Sequence, residues 1–284
     1  MKTDTILLPG DCLEIVPTLP RESFDLILID PPYGITACKW DSIIPFSSYM
    51  VIDKKIVYRD EYLKMMMKSS MSLLRFYEQI FEDNCKPGMW DIIRWAIKPA
   101  GAVVIFGCQP FSSALVMSNP KWFKYDITII KNSPTGFLNA KKQPLRITEA
   151  ANVFYNNQCK YNPQMTTGRD YYTCRAGQKK SKNYGKQKDV TTVNNGYRYP
   201  VNAIFSLWKT EGIHETEKPV DLLSGIIKTY TDPGDNVLDF CMGSGSTGVA
   251  AKMTGRNFTG IEKEKKYFKI AQQRINEINP LLPI

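Results

Sequence analysis

The sequence contains a single histidine, His214, and no two cysteines at Cys-x-x-Cys spacing. Its seven cysteines are odd in number and scattered, a pattern that argues against a disulfide framework and against zinc ligands. We therefore expect no metal site, no histidine-based catalysis and reduced, intracellular thiols. His214 is interpreted as a local hydrogen-bonding residue.

Long apolar runs are also missing. No stretch of eighteen uninterrupted apolar residues occurs, which argues against a membrane span. The N-terminus has no charged segment followed by the apolar core of a secretion signal, so we expect a cytoplasmic protein with no membrane partner. A chain of 284 residues can bury a sizeable core, as one large domain or as one domain with an insertion.

An apolar run that ends in two prolines is the most informative stretch. Residues 24–29 indicate a buried parallel strand, and Asp30-Pro31-Pro32-Tyr33 follows at once. Because proline lacks an N–H and fixes φ, the chain must leave the sheet after Asp30, where open α/β sheets form ligand crevices. The loop offers a carboxylate, backbone carbonyls and an aromatic ring, which suit an exocyclic amino group on a flat ring. A turn that only caps the strand is the alternative.

A second strand runs into a glycine-rich loop. Residues 236–240 precede Cys-Met-Gly-Ser-Gly-Ser-Thr-Gly at 241–248, and a helix-forming segment follows at 249–253. Glycine lets the backbone approach a ligand closely, and a helix N-terminus presents unpaired N–H groups. A further strand, 257–261, ends in Glu262, at a distance typical of an acid that binds ribose hydroxyls. The unit indicates a nucleoside-containing cofactor and lacks the Gly-Lys-Ser/Thr of a P-loop.

These motifs resemble those of the S-adenosylmethionine-dependent amino-methyltransferases of DNA, which methylate adenine N6 or cytosine N4. A third signature, His-Glu-Thr-Glu-Lys-Pro at 214–219, is similar to the family's segment leading into the cofactor loop. The Asp30 motif precedes the glycine loop, with a long insert between them. That order resembles the group called beta, in which the target-recognition region lies between the catalytic and cofactor motifs. The resemblance covers about two-thirds of the chain, principally 5–34, 99–155 and 212–276.

The resemblance also implies the residues of the site. The catalytic residues are Asp30, Pro31, Pro32 and Tyr33. The cofactor residues are Asp11, Cys12, Lys218, Asp239, Phe240, Gly243, Ser244, Gly245 and Glu262. Within that set Asp239, Gly243 and Gly245 would hold the amino-acid end of S-adenosylmethionine, and Glu262 its ribose. Asp11 and Cys12 would flank its adenine, with Lys218 nearby.

Four positions depart from the family's pattern. Its cofactor loop usually reads Asp-Pro-Phe-x-Gly-Ser-Gly, whereas this chain has Phe240 in place of the proline and Cys241 in place of the phenylalanine. Asp239 and the glycines are kept, so we expect cofactor binding with altered aromatic packing near the methionine moiety. In the third signature Glu215 and Glu217 stand where proline and glutamine are common.

The positive charge of the chain is concentrated in its middle. The formal net charge is +9, and residues 131–205 carry thirteen basic and three acidic residues, so the remainder sums to −1. The same segment contains seven tyrosines. Basic side chains pair with phosphates and aromatic rings stack on bases, so we expect contact with double-stranded DNA. A solvated loop, disordered over 175–190, is the alternative. The expected DNA-binding residues are Lys141, Lys142, Arg146, Lys179, Lys180 and Lys182.

The expected fold is α/β: a doubly wound, mostly parallel, seven-stranded methyltransferase sheet with an inserted basic target-recognition region. The predicted strands are 5–8, 24–29, 102–106, 125–130, 151–155, 236–240 and 257–261, with 125–130 and 151–155 as an antiparallel pair. The predicted domains are a catalytic half (1–130, with a variable insert at 35–90), the end of the sheet plus the recognition region (131–211), and a cofactor half (212–284). An amphipathic helix is expected over 265–278.

The resemblance implies direct methyl transfer to a base that has left the duplex. Asp30 and the Pro31 carbonyl would accept hydrogen bonds from the exocyclic amine, and Tyr33 would stack on the base. Family members with Asp at the first motif position more often act on adenine, so we expect N6-adenine, with N4-cytosine as the alternative.

Two rivals belong to other classes. One is an RNA or protein-glutamine methyltransferase, against which the motif order and the basic segment argue respectively. The other is a noncatalytic DNA-binding protein that keeps the fold. The partners left open are a homodimer and a cognate restriction endonuclease on a separate chain, because no nuclease motif occurs here.

Overall fold

The computed structural model describes residues 3–34, 41–52, 55–67, 80–175, 189–206 and 217–278. The strands are β1 (Thr5–Pro9), β2 (Phe24–Ile29), β3 (Tyr49–Ile52), β4 (Lys55–Tyr58), β5 (Ile97–Gly107), β6 (Phe123–Thr135), β7 (Arg146–Phe154), β8 (Thr166–Thr167), β9 (Tyr171–Arg175), β10 (Val190–Asn194), β11 (Tyr197–Arg198), β12 (Ala203–Ser206), β13 (Asn236–Asp239) and β14 (Asn257–Glu262). The labelled helices are α1 (Cys12–Ile15), α2 (Arg59–Met67), α3 (Met89–Ala96), α4 (Phe111–Ser118), α5 (Val220–Tyr230), α6 (Ser246–Met253) and α7 (Lys265–Glu277). Residues 80–84 are also helical, and none of the described helices has the length and apolar character needed to cross a bilayer.

Eight strands form the main sheet, in the order β1-β14-β13-β2-β5-β7-β6-β12. The first five of these pair in parallel, β7 runs antiparallel to both β5 and β6, and β12 is parallel to β6. Only β7 is therefore reversed. Its amino end lies at the edge of the sheet where the other seven strands have their carboxyl ends.

Helices cover both faces of the sheet, and β2 shows why. Its side chains alternate, with Leu26 and Leu28 in one buried cluster and Ile27 and Ile29 in another. The first cluster is completed by apolar residues of α5, α6 and α7, and the second by residues of α3 and α4. A strand buried on both faces reads as a continuous apolar run, and the run at 24–29 has that form. The doubly wound α/β class is confirmed.

Seven of the strands were expected, and the sheet has one more. The eighth, β12, is a four-residue edge strand whose Ile204 lies opposite Ile129 of β6. Four residues are too few for a periodic pattern, and they lie inside the segment 131–211 that was interpreted as the recognition region. The antiparallel pair β6–β7 and the C-terminal helix α7 are confirmed, although β6 and β7 are longer than expected.

The chain divides into two compact units, one of residues 162–202 and one of the remainder. The smaller unit contains two hairpins, β9–β10 and β8–β11. Within it the guanidinium of Arg198 lies 4.7 Å from the ring centroid of Tyr171 and donates a hydrogen bond to Asn194. The boundaries proposed at 130 and 211 stay predictions.

The insert at 35–90 is described in part. It contributes the hairpin β3–β4 and α2, with a small core of Val57, Tyr62, Leu63 and Phe81. The apolar residues at 73–77 lie outside the described residues.

We expect Leu28→Ala to lower the free energy of unfolding by about 2–5 kcal/mol, because Leu28 is fully buried in a central strand and its truncation leaves a cavity. Urea-induced unfolding followed by tryptophan fluorescence measures this. Ile6→Ala is the matched control: Ile6 is half-exposed in the edge strand β1, so the change should be about 0.5 kcal/mol or less. Equal losses in the two variants would contradict the assigned core.

Candidate active site

A cavity of about 910 Å³ opens at the edge of the sheet where the parallel strands end. The strand order reverses between β13 and its neighbour β2, which is the switch point at which doubly wound sheets bind ligands. Asp30 follows β2 and Asp239 ends β13, so the two loops singled out from the sequence meet there. Of the thirteen predicted catalytic and cofactor residues, twelve line this cavity and Gly245 does not.

Gly245 occupies the turn before α6. It has φ of +84°, and a Cβ at this position would lie 2.9 Å from the Cβ of Ala271 in α7. Only glycine fits both constraints without strain. Its position accounts for the glycine in the loop by backbone geometry and helix packing.

The Asp30 carboxylate receives hydrogen bonds on both oxygens. The Tyr33 hydroxyl donates to Oδ1, and the Lys218 ammonium donates to Oδ2. The Tyr33 ring also packs against Phe111, with 5.1 Å between the ring centroids. Burial, and then the neighbouring Asp30 carboxylate, raise the pKa of Tyr33 well above its ordinary value, so Tyr33 stays a neutral donor.

Lys218 is fully buried and lies between two carboxylates. Besides Asp30, its ammonium is 3.5 Å from Oε2 of Glu149, while Oε1 of Glu149 accepts a hydrogen bond from Lys131 at 2.9 Å. Burial lowers the pKa of Lys218, but the two carboxylates outweigh it and the pKa is raised. Burial raises the pKa of Glu149, and the two lysines outweigh it so that the pKa is lowered. The Lys218 ammonium and the Glu149 carboxylate are therefore both charged near neutral pH.

Sequence reasoning missed Glu149 and Lys131, and it assigned Lys218 to the cofactor. The missed residues lie on β7 and β6, where the register sets Glu149 opposite Ile129. The register between two strands has no signal in a single sequence. The contact between Lys131 and Glu149 depends on that register, so the sequence could not predict it. The acid among basic residues at 149 was the one visible indication.

The cofactor half of the cavity contains the buried acid Asp239 and the half-buried acid Glu262. Glu262 accepts hydrogen bonds from the N–H groups of Gly243 and Glu264, each at 2.8 Å, and burial raises its pKa. Asp239 accepts from the N–H of Cys241 at 3.0 Å. Burial raises the pKa of Asp239 to about 7, although hydrogen bonds from Thr247 and Cys241 oppose the rise.

Glu217 supplies a second buried acid beside the glycine loop. Its Oε1 pairs with Arg274 of α7 and accepts a hydrogen bond from Ser246 at 3.2 Å. Its Oε2 is buried and has no hydrogen-bond partner among the described residues. An unpaired buried carboxylate oxygen costs free energy unless a donor meets it. The residues therefore fit a ligand that carries ammonium or hydroxyl donors, as S-adenosylmethionine does at its amino-acid and ribose ends.

The structure shows what surrounds the two residues that depart from the family's cofactor loop, Phe240 and Cys241. Phe240 is buried in the core cluster around Ile27 and also lines the cavity. Cys241 lies beside Cys12, and this contact together with burial raises the pKa of Cys241 well above its ordinary value. The cysteine expected to flank the adenine thus neighbours the one that replaces phenylalanine.

The expected DNA-binding residues are only partly described. Arg146 lines the cavity, and Lys141 and Lys142 are exposed in the segment between β6 and β7. Lys179, Lys180 and Lys182 lie outside the described residues. Within the described ranges, no group of three or more His, Cys, Asp or Glu could hold a metal ion.

Comparison with known proteins decides the family. The DNA methylase model of the N6/N4 type matches residues 24–273, which is most of the chain. This chain belongs to that N6/N4 DNA methylase family. It is therefore a DNA methyltransferase of the class that uses S-adenosylmethionine and modifies N6 of adenine or N4 of cytosine, as the three signatures imply. Membership confirms the resemblance that the three signatures indicate.

Individual relatives agree. The type II methyltransferase M2.DpnII of Streptococcus pneumoniae is 29% identical over 98% of this chain and 92% of its own length. Two solved structures share the fold: the cytosine-N4-specific PvuII DNA methyltransferase (TM-score 0.59, 15% identity, covering 99% of this chain and 90% of that one) and the M1.HpyAVI–SAM complex (TM-score 0.52, 23% identity, covering 96% and 99%). These structures support the fold of this N6/N4 methylase.

We expect Glu149→Gln to lower the free energy of unfolding by about 1–3 kcal/mol at pH 7, because it removes a charge that a buried ammonium faces. The folded pKa of Glu149 is lowered, so its contribution is present above the unfolded pKa and is lost as the pH falls through the folded one. The difference between wild type and variant should therefore shrink on acidification below about pH 4. Urea unfolding at a series of pH values measures it, and a pH-independent difference would contradict the ion pair.

Asp239→Asn should act in the opposite direction on stability. Since the folded pKa of Asp239 is raised from 3.8 to about 7, ionising this buried acid costs stability that grows as the pH rises between those values. Without ligand, the variant should gain thermal stability relative to wild type from pH 4 to pH 7. Its affinity for S-adenosylmethionine, measured by calorimetry, should fall. A variant less stable at pH 7 than at pH 4, relative to wild type, would contradict this assignment.

Proposed function

We propose that this methyltransferase transfers the methyl group of S-adenosylmethionine to N6 of an adenine that has left the DNA duplex. The observation that carries the proposal is the Asp30 carboxylate, fixed at the switch point of the sheet by Tyr33 and Lys218. When bound, S-adenosylmethionine supplies an electrophilic methyl group on a sulfonium.

Asp30 acts as a hydrogen-bond acceptor for the exocyclic amine. An aryl amine is a poor nucleophile, because its lone pair is delocalised into the ring. Each Asp30 oxygen uses one lone-pair site on Tyr33 or Lys218, and the remaining sites can accept an N–H of the substrate. The Pro31 carbonyl would accept the other N–H. The two acceptors localise the lone pair and stabilise the positive charge that develops on nitrogen.

Tyr33 and Lys218 position the carboxylate as well as binding it. Tyr33 is held against Phe111, and Lys218 is held by Glu149, so neither donor moves when the base enters. Catalysis that depends on alignment requires such a fixed acceptor. The excess proton of the methylated amine leaves only after methyl transfer, so Asp30 need not be a strong base.

The cofactor end of the cavity has the complementary polarity. The carboxylates of Asp239, Glu217 and Glu262, which line this end, would hold the ammonium and hydroxyl donors of S-adenosylmethionine, and the glycine at 243 would let the backbone approach it. Glu217 Oε2, which is unpaired among the described side chains, is the acceptor we assign to the ammonium group. The proposal thus separates the site into an amine-accepting half and a cofactor-binding half.

The preference for adenine rests on Asp30 itself. Family members with Asp at this position more often modify adenine, and those with Ser more often modify cytosine N4. The fold shared with the cytosine-N4-specific PvuII enzyme does not distinguish the two bases, since identity there is only 15%. A cytosine product at the wild-type rate would overturn the preference and leave the amine chemistry intact.

The decisive experiment is methyl transfer from labelled S-adenosylmethionine to unmethylated plasmid DNA, with the nucleosides resolved by mass spectrometry. We expect N6-methyladenine from wild type. Asp30→Ala should lower kcat by about 10²-fold or more, because it removes the preorganised acceptor that stabilises the positive charge developing on the amine. Calorimetry should show cofactor affinity retained in that variant.

Asp60→Asn is the matched control, since Asp60 is an exposed carboxylate in the first turn of α2. It should methylate at the wild-type rate. Absence of any methylated nucleoside from wild type on duplex and single-stranded DNA, with cofactor bound, would overturn the proposed function.

A further inference from the structure

The segment that joins β6 to β7 exposes two large apolar side chains. Phe137 is 66% exposed and Leu138 is 101% exposed, in a single 3-10 turn, Phe137–Asn139. Apolar side chains this open to water are normal when scattered singly, but a contiguous pair on a protruding turn indicates a contact surface. We call residues 136–145 the rim turn.

The rim turn has a defined backbone. Gly136 starts it with φ of +93°, and its carbonyl accepts a hydrogen bond from the N–H of Asn139 at 3.0 Å. The carbonyl of Asn139 then accepts from the N–H groups of Lys142 and Gln143, at 2.8 and 3.0 Å. These bonds hold the turn in shape without burying its side chains, so Phe137 and Leu138 are presented by a built structure.

The turn stands directly on the cavity. Thr135 and Arg146, the residues that flank it, pair across β6 and β7 and both line the cavity. The Thr135 hydroxyl also donates to the carbonyl of Arg146 at 3.3 Å, which closes the base of the turn. Further along the same strands are Lys131 of β6 and Glu149 of β7, which bond to each other, and Glu149 is also 3.5 Å from the Lys218 ammonium that holds Asp30.

The positive charge around the rim turn favours an anionic partner. From 131 to 148 the chain has Lys131, Lys141, Lys142 and Arg146 and no acidic residue. A second copy of the chain seated on the same surface would bring two such cationic turns together, which like-charge repulsion opposes. Duplex DNA satisfies both features, because phosphates pair with the lysines while the base stack accepts an apolar side chain.

We propose that Phe137 and Leu138 form a wedge that enters the base stack at the place which the flipped base leaves, while Lys141, Lys142 and Arg146 hold the flanking phosphates. The inference rests on the proposed function, since only an enzyme that extrudes its target base leaves such a gap. The wedge lowers the free energy of the open duplex by filling the gap with apolar surface. It touches neither the cofactor nor the reacting amine.

The test compares paired and pre-opened substrates. The site that wild type methylates in unmethylated plasmid DNA is first mapped and placed in an oligonucleotide duplex. A second duplex carries an abasic position opposite the target base, so that extrusion costs less. We expect Leu138→Ala and Phe137→Ala to lower kcat/KM on the paired duplex by about tenfold or more, and on the abasic duplex by about threefold or less.

Met117→Ala is the matched control, because Met117 is a 73% exposed apolar residue that does not line the cavity. It should leave both rates unchanged. Equal losses on the two duplexes, or no loss on the paired one, would overturn the wedge. So would a change from dimer to monomer in Leu138→Ala with an unchanged ratio of rates, which would identify the turn as a contact between copies.

Failure of the wedge can be told apart from failure of the function. If wild type methylates no DNA, the proposed function fails before any variant is compared. If wild type methylates the site and places 2-aminopurine at the target position in a fluorescent, unstacked state, the function stands. Loss of that fluorescence in Leu138→Ala then supports the wedge, and its retention overturns it.

Discussion

A buried ammonium group is the element on which the rest of the site depends. Lys218 is removed from water, and a lone cation there would be very costly, so the chain has to bring carboxylates to it. Asp30 and Glu149 do so from two different strand ends, and the Lys218–Asp30 contact spans 188 residues of sequence. The ion pairs therefore require the loop after β2, the start of β7 and the segment before α5 to be in place together. These polar side chains reach their partners only when all three segments have come together.

The two halves of the cavity reach their polarity by different means. On the amine side, opposite charges are matched, with lysines on both sides of Glu149. On the cofactor side, acids stand in close proximity with few cations, and burial raises the pKa values of Asp239 and Glu262. Two cations stand among these acids: Lys263 pairs with Asp11, and Arg274 pairs with Glu217 at a position where the family commonly has glutamine. The extra negative charge of that replacement is thus compensated from α7.

Much of the fold was predictable because its signals are local. The run at 24–29, the prolines after it and the glycines at 243–248 each dictate backbone geometry over a few residues, and all lie where expected. The eighth strand, β12, was missed because four edge residues carry no periodicity. Glu149 and Lys131 were missed for another reason: their meeting depends on the cross-strand register of β6 and β7, a long-range property. Lys218 and Asp30 were both identified, but their ion pair was not, since a motif identifies a residue without its neighbours in space.

The single reversed strand has a consequence for how the protein can evolve. Because β7 runs against its neighbours, one hairpin carries the rim turn at its tip and Glu149 in the first half of β7, three residues beyond Arg146. Side chains alternate between the two faces along a strand. Inserting one residue between Arg146 and Glu149 would therefore turn Glu149 to the opposite face, and Lys218 would lose its second carboxylate. Insertions within the turn do not change the face on which Glu149 lies. The rim turn can therefore change in length and sequence where β7 cannot. New contacts with DNA can evolve in the turn while the residues around Asp30 stay the same.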